Sequence, residues 1–125
     1  MFNRRRRWWI AGISIAILLG IMIPLYQNMM LRNREKTLKA NLLTLRVVLD
    51  QYKADKKEAP QALQDLVKAG YFRSLPIDPF TNSNSTWKPV LQSVVISPEK
   101  TVQVITDIHS GSLSVSADGT TYSAW

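Results

Sequence analysis

The chain has no cysteine and a single histidine, His109. Disulfides, thiolate nucleophiles and Cys-ligated zinc are excluded, and imidazole-rich metal sites with them. The redox compartment stays open, because a chain without thiols fits any. Acidic residues are missing from the first quarter: residues 1–32 hold five arginines (Arg4, Arg5, Arg6, Arg7 and Arg32) and no acid. Residues 33–57 carry seven basic residues against three acidic ones, whereas 58–125 carry four against six. The net charge of +7 therefore belongs to the N-terminal segments, and the remainder is mildly acidic. Counterion-release binding to nucleic acid needs a basic face on the folded part, so no nucleic acid is expected as partner. A Gly-rich phosphate loop, HExxH and GxSxG are also lacking. The expectation is accordingly no enzyme, no small-molecule substrate and no cofactor.

What is present begins with an apolar run. Residues 8–26 carry no formal charge and include Ile10, Ile13, Ile15, Ile17, Leu18, Leu19, Ile21 and Ile23. As a helix this run covers roughly 28 Å, close to the hydrocarbon thickness of a bilayer. Lipid leaves a backbone no other partner than itself, so a helix is the conformation expected there. Trp8, Trp9 and Tyr26 stand where interfacial aromatics belong. The run is longer than a secretory h-region and no small-x-small site follows, which reads as an uncleaved signal anchor. Arg4 to Arg7 favour a cytoplasmic N-terminus and contact with anionic headgroups, although Arg32, Arg34, Lys36 and Lys39 follow the span closely. Gly20 and Pro24 lie one turn apart in it. Pro24 has no N–H for the Gly20 carbonyl, so the helix is expected to loosen there. The span and its packing are assigned to Ile13, Ile17, Gly20 and Pro24.

From Arg32 to about Lys57 there is no Gly or Pro. Leu31, Leu38, Leu42, Leu45, Leu49 and Tyr52 step by 7, 4, 3, 4 and 3 residues, an apolar stripe down one helix face. Glu35 and Lys39 are spaced as an i,i+4 pair. The expectation is a helix continuous with the span, whose Leu38, Leu42, Leu45, Leu49 and Tyr52 pack on the chain's own C-terminal part. The organisation reads as a basic cytoplasmic tail (1–7), a transmembrane helix (8–31), an amphipathic continuation (32–57) and an extracytoplasmic α+β domain (58–125).

In that domain Pro60 suits the start of a short helix with Leu63, Leu66 and Val67 on one face, and Gly70 suits its end. Leu75-Pro76-Ile77-Asp78-Pro79-Phe80 is extended, because two prolines forbid a helix. Residues 81–86 are small and polar, a surface loop. Residues 90–96 and 102–108 read as strands around a turn at 97–100, and Asp118-Gly119 signals a hairpin between 113–116 and 121–125. The fold class expected is α+β, one long helix on a three- or four-stranded antiparallel sheet.

Pro24, the Leu stripe ending in Asp50-Gln51-Tyr52, and Ala59-Pro60 with Leu63 and Leu66 are followed by Gly70-Tyr71-Phe72. Then come Leu75 to Phe80, Asp107-Ile108-His109-Ser110 and Ala117-Asp118-Gly119-Thr120. In this order they resemble the type II secretion major pseudopilin family and its type IV pilin-like relatives over nearly the whole chain. The resemblance implies a structural subunit of an envelope filament, with other pseudopilin subunits and inner-membrane secretion components as partners and self-association as a further one. It implies the bacterial inner membrane, with the C-terminal domain periplasmic. Two positions depart from the family. No Gly precedes Phe2 as in the family's leader, and counting seventeen residues back from Pro24 reaches Arg7 where the family has Glu. The chain therefore reads as an uncleaved relative that primes, caps or regulates assembly. The family's calcium loop retains Asp118 alone, and one carboxylate is a poor cage, so an ordinary Asp-Gly turn is expected.

Two other readings come from the residues. An uncleaved anchored accessory protein of another envelope complex would use the same helix and bind a partner through its small domain. A catalytic set of Asp107, His109 and Ser110 fails on geometry, because in a strand Ser110 points away from the face that the other two share.

Overall fold

The computed structural model describes residues 3–125; the Met1-Phe2 end of the expected basic tail lies outside them. The elements in order are α1 (Arg4–Lys56), α2 (Gln64–Lys68), β1 (Lys88–Ser97), β2 (Lys100–His109) and a 3-10 helix at Tyr122–Ala124. They form two compact units, Met1–Asn33 and Arg34–Trp125. The fold class is α+β, as expected: one long N-terminal helix and an antiparallel sheet.

The first unit is a single stretch of α1, whose first turn contains Arg4 to Arg7. Pro24 lies inside the helix. The apolar residues here, from Trp8 to Met30, are all exposed. A helix satisfies its backbone hydrogen bonds internally, which makes an apolar stretch of this kind compatible with lipid. Among the described residues α1 is the one helix long and apolar enough to cross a membrane.

The second unit takes its core from α1. Leu38, Leu42, Leu45 and Leu49 are buried against Leu75, Trp87, Ile105, Ile108 and Tyr122. Tyr52 is half-buried, its ring 5.9 Å from that of Tyr71. Lys57, at φ +59°, turns the chain out of α1. α2 is shorter than expected. The Asp65 carboxylate accepts from the Gln61 and Ala62 amides at 3.1 and 3.0 Å, which holds 61–63 as a turn and postpones the helix to Gln64. Gly70 (φ +87°) ends it, with Tyr71 N–H on the Leu66 carbonyl and Gly70 N–H on that of Val67, the paired bonds of a Schellman motif.

Among the described residues the sheet has two strands, β1 and β2, where three or four were expected. Beyond β2 the only pairing among the described residues is an isolated bridge, Val115↔Thr121. The expected hairpin shrinks to a turn in which the Ser116 amide donates to the Thr120 carbonyl at 2.7 Å and the Tyr122 amide to that of Ser114 at 3.0 Å. The chain then coils into the 3-10 helix instead of extending. That coil seats Tyr122 in the core, stacked 3.9 Å from Phe80 and edge-on to Trp125. Burying Tyr122 and packing Trp125 against it outweighs a few edge hydrogen bonds.

Candidate functional site

Two surfaces concentrate chemistry, one in each unit. In the first, Ile13, Ile17, Gly20 and Pro24 sit on the exposed span. Gly12, Ala16 and Gly20 follow at intervals of four and so share one face of α1. Beyond the helix's own backbone, no heavy atom lies within 4 Å of where a Cβ on Gly12 or Gly20 would stand. Such small residues let two membrane helices approach closely. Sequence reasoning that pairs Gly20 with Pro24 misses Gly12 and Ala16, although their spacing is legible.

In the second unit, residues of α1 meet the C-terminal turn. One Glu35 oxygen accepts the Tyr122 hydroxyl at 2.8 Å and the Ala117 amide at 3.0 Å. The Lys39 ammonium lies 4.7 Å from the centre of the Trp125 ring. Glu35 and Lys39 thus each take a C-terminal partner, where the i,i+4 spacing suggested that they pair with each other. Burial, and then the bond to Glu35, push the Tyr122 phenol up to about 12. The Asp118 carboxylate accepts from the hydroxyls of Ser116 and Thr120 and from the Thr120 amide. These hold it down at about 2, the Ser116 bond most of all. Asp118 therefore builds a turn. No group of three or more His, Cys, Asp or Glu that would hold a metal occurs among the described residues.

Further along α1, Arg46 Nε donates to Asp107 Oδ1 at 2.9 Å and Arg46 Nη2 to the Ile108 carbonyl at 3.0 Å. Partial burial pushes the Asp107 carboxyl up, but the Ile108 amide and the Arg46 guanidinium prevail and its pKa is lowered. His109 Nε2 is 3.7 Å from Asp107 Oδ2, and its Nδ1 meets the main-chain oxygen of Trp125. Ser110 belongs to a different cluster. Its hydroxyl donates to the buried Asp78 at 2.5 Å and receives the Ser112 amide at 3.2 Å. Asp78 also accepts the Phe80 amide at 2.9 Å, which fixes the two-proline segment. Asp107, His109 and Ser110 are neighbours in sequence and serve two separate networks.

Between α1 and the C-terminal turn runs a groove of about 520 Å³, whose walls include Lys39, Leu43, Arg46 and Trp125. Its two cations are engaged, by the Trp125 ring and by Asp107. Gly111 is a position that the sequence does not single out. A Cβ there would lie 2.0 Å from the Thr86 carbonyl oxygen. Comparison of the chain with models of known protein families, with curated proteins and with solved structures finds no match.

Proposed function

We propose that this chain is a pseudopilin-like structural subunit or assembly factor of a type II secretion or related type IV pilus-like filament, acting by helix packing and not by catalysis. It is anchored in the bacterial inner membrane with the N-terminus cytoplasmic and the C-terminal domain periplasmic.

One observation carries this reading. A 53-residue helix carries an apolar N-terminal stretch whose side chains are exposed in this chain, and commits the leucine stripe of its C-terminal part to a small α+β core. Anchoring alone asks for a span of about 20 residues. A helix that also organises the domain couples the two, as a subunit packing by its helices requires. The open Gly12, Ala16 and Gly20 face supports close approach of a second helix. Arg4 to Arg7 support retention of the N-terminal end on the side of anionic headgroups.

The test uses the absence of native thiols. Single substitutions Ile13→Cys, Ala16→Cys and Ile17→Cys in the full chain are oxidised in the native membrane. Disulfide-linked dimers are expected, most of all at Ala16 on the face shared by Gly12 and Gly20. An absence of dimers at all three positions would overturn the helix-packing reading. Intact mass from the same membranes reports whether N-terminal residues are removed and a methyl group added, which separates a matured subunit from an uncleaved assembly factor.

A further inference from the structure

β1 is exposed along its whole length. Val90, Leu91, Val94, Val95 and Ile96 are between 40 and 69% exposed, and no charged residue lies between Lys88 and Glu99. The strand hydrogen-bonds to β2 on one side and to nothing in the sheet on the other. The two edges of this sheet are not equivalent. β2 is buried at Val104, Ile105 and Ile108 and is met on its outer edge at one point by the chain itself, where the Ile105 amide donates to the Pro60 carbonyl at 2.8 Å. β1 keeps an open row of main-chain donors and acceptors beside apolar side chains, an arrangement that soluble domains avoid unless a strand is to be added there.

We infer that β1 pairs edge to edge, antiparallel, with β1 of a second copy of this chain, about a two-fold axis at Ser93. In antiparallel pairing, directly opposed residues share a face, so a two-fold pair must centre on a single residue. Centred on Ser93, Leu91 faces Val95 and Gln92 faces Val94, with Val90 and Ile96 flanking them. Lys88 of each copy then falls beside the Pro98-Glu99 turn of the other, within reach of an opposite charge. Moving the centre to Val94 sets Lys88 against Lys100, like charges in direct opposition. Moving it to Gln92 sets Lys88 against Ile96. Of these three registers, the one centred on Ser93 sets apolar side chains against each other and places Lys88 near an opposite charge.

Pro89 at one end and the irregularity at Ile96 at the other limit the pairing to a short segment. One open edge per copy closes the assembly at two. A strand pair of this size is a small interface, and confinement of both copies to one membrane would raise their effective concentration. The inference rests on the sheet and stands whether or not the helices pack.

Opposed Cα atoms in such a pair lie about 4.5–5.5 Å apart, within disulfide range. Ser93→Cys in the full chain, in membranes, is expected to form a disulfide dimer on mild oxidation several-fold more readily than Gln92→Cys or Val94→Cys. Adding Leu91→Lys should abolish the Ser93→Cys dimer, and adding Val95→Glu as well should restore it. The exposure of both side chains makes their replacement compatible with folding. Equal cross-linking at 92, 93 and 94 would mean random collision and overturn the pairing. No cross-linking at 93, or cross-linking to another protein, would overturn it equally. Dimers of the Ser93→Cys chain without dimers through the span would sink the helix-packing reading and leave this one standing.

Discussion

Glu35 and Tyr122 meet through a hydrogen bond of 2.8 Å, and the same carboxylate oxygen takes the Ala117 amide at 3.0 Å. A single acceptor on α1 therefore holds two points of the C-terminal turn. A hydrogen bond to a charged group contributes about 1.5–3 kcal/mol. Glu35→Ala is expected to destabilise the second unit more than Tyr122→Phe, since it strands a buried hydroxyl and an amide together. Thermal unfolding of the full chain in detergent checks the order. The double variant should lose less than the two single losses added, because they share one interaction.

The same tyrosine predicts an alkaline limb. Its phenol is pushed up to about 12, above the ordinary value of about 10. Below pH ~10 both folded and unfolded chains keep the proton, and the contribution is full. Between pH ~10 and 12 the unfolded chain ionises first, so stability falls as pH rises. Tyr71, whose hydroxyl donates to Asp55, is pushed up to about 12 as well and adds to the same limb. The Tm difference between the native chain and Tyr122→Phe should shrink across that window; a constant difference would refute the assignment.

Asp118 gives the opposite sign. Its carboxyl is held at about 2 by Ser116 and Thr120, below the ordinary value of about 3.9. The stability it supplies is complete above pH ~4 and is lost as pH falls through about 2. Asp118→Asn should therefore lower Tm at neutral pH and flatten the acid limb between those values, as a pH series of melting curves would show.

Two glycines separate crowding from backbone strain. Gly111→Ala drives a methyl into the Thr86 carbonyl, and overpacking of this kind destabilises by about 1–3 kcal/mol or more. Gly119, at φ +90°, has open space around it, so an alanine there meets only the left-handed backbone penalty of about 1–2 kcal/mol. Gly111→Ala should melt at the lower temperature.

On α1, neighbouring leucines should behave differently. Leu45 is fully buried, and truncation to Ala is expected to destabilise by about 2–5 kcal/mol. Leu43 is 64% exposed, and its truncation should stay within about 0.5 kcal/mol. Equal effects would mean that the face assignment is wrong.

The helix was legible because its signals are local and repeated: a charge-free run, then leucines at 38, 42, 45 and 49. β1 and β2 were legible for the same reason, as two β-branched runs around Pro98. The third strand was misread because Asp118-Gly119 announces a turn and not the conformation beyond it. There the burial of Tyr122 against Phe80, 42 residues away in sequence, decides. Glu35 looked like half of a helix-surface pair, since nothing near it in sequence reveals Tyr122. Asp78 and Ser110 come together through 32 residues of intervening chain, so their bond has no local signature.

The core of the second unit joins leucines 38 to 49 with Ile105, Ile108 and Tyr122. Its decisive contacts are therefore distant along the chain, which slows folding, because the ends of a long loop must meet before any reward is collected. A nascent chain holds the leucine stripe uncovered until residue 122 has been synthesised. During that interval the stripe is open to premature association with other hydrophobic segments, so a chaperone that shields α1 would have its greatest effect on this chain before Tyr122 arrives.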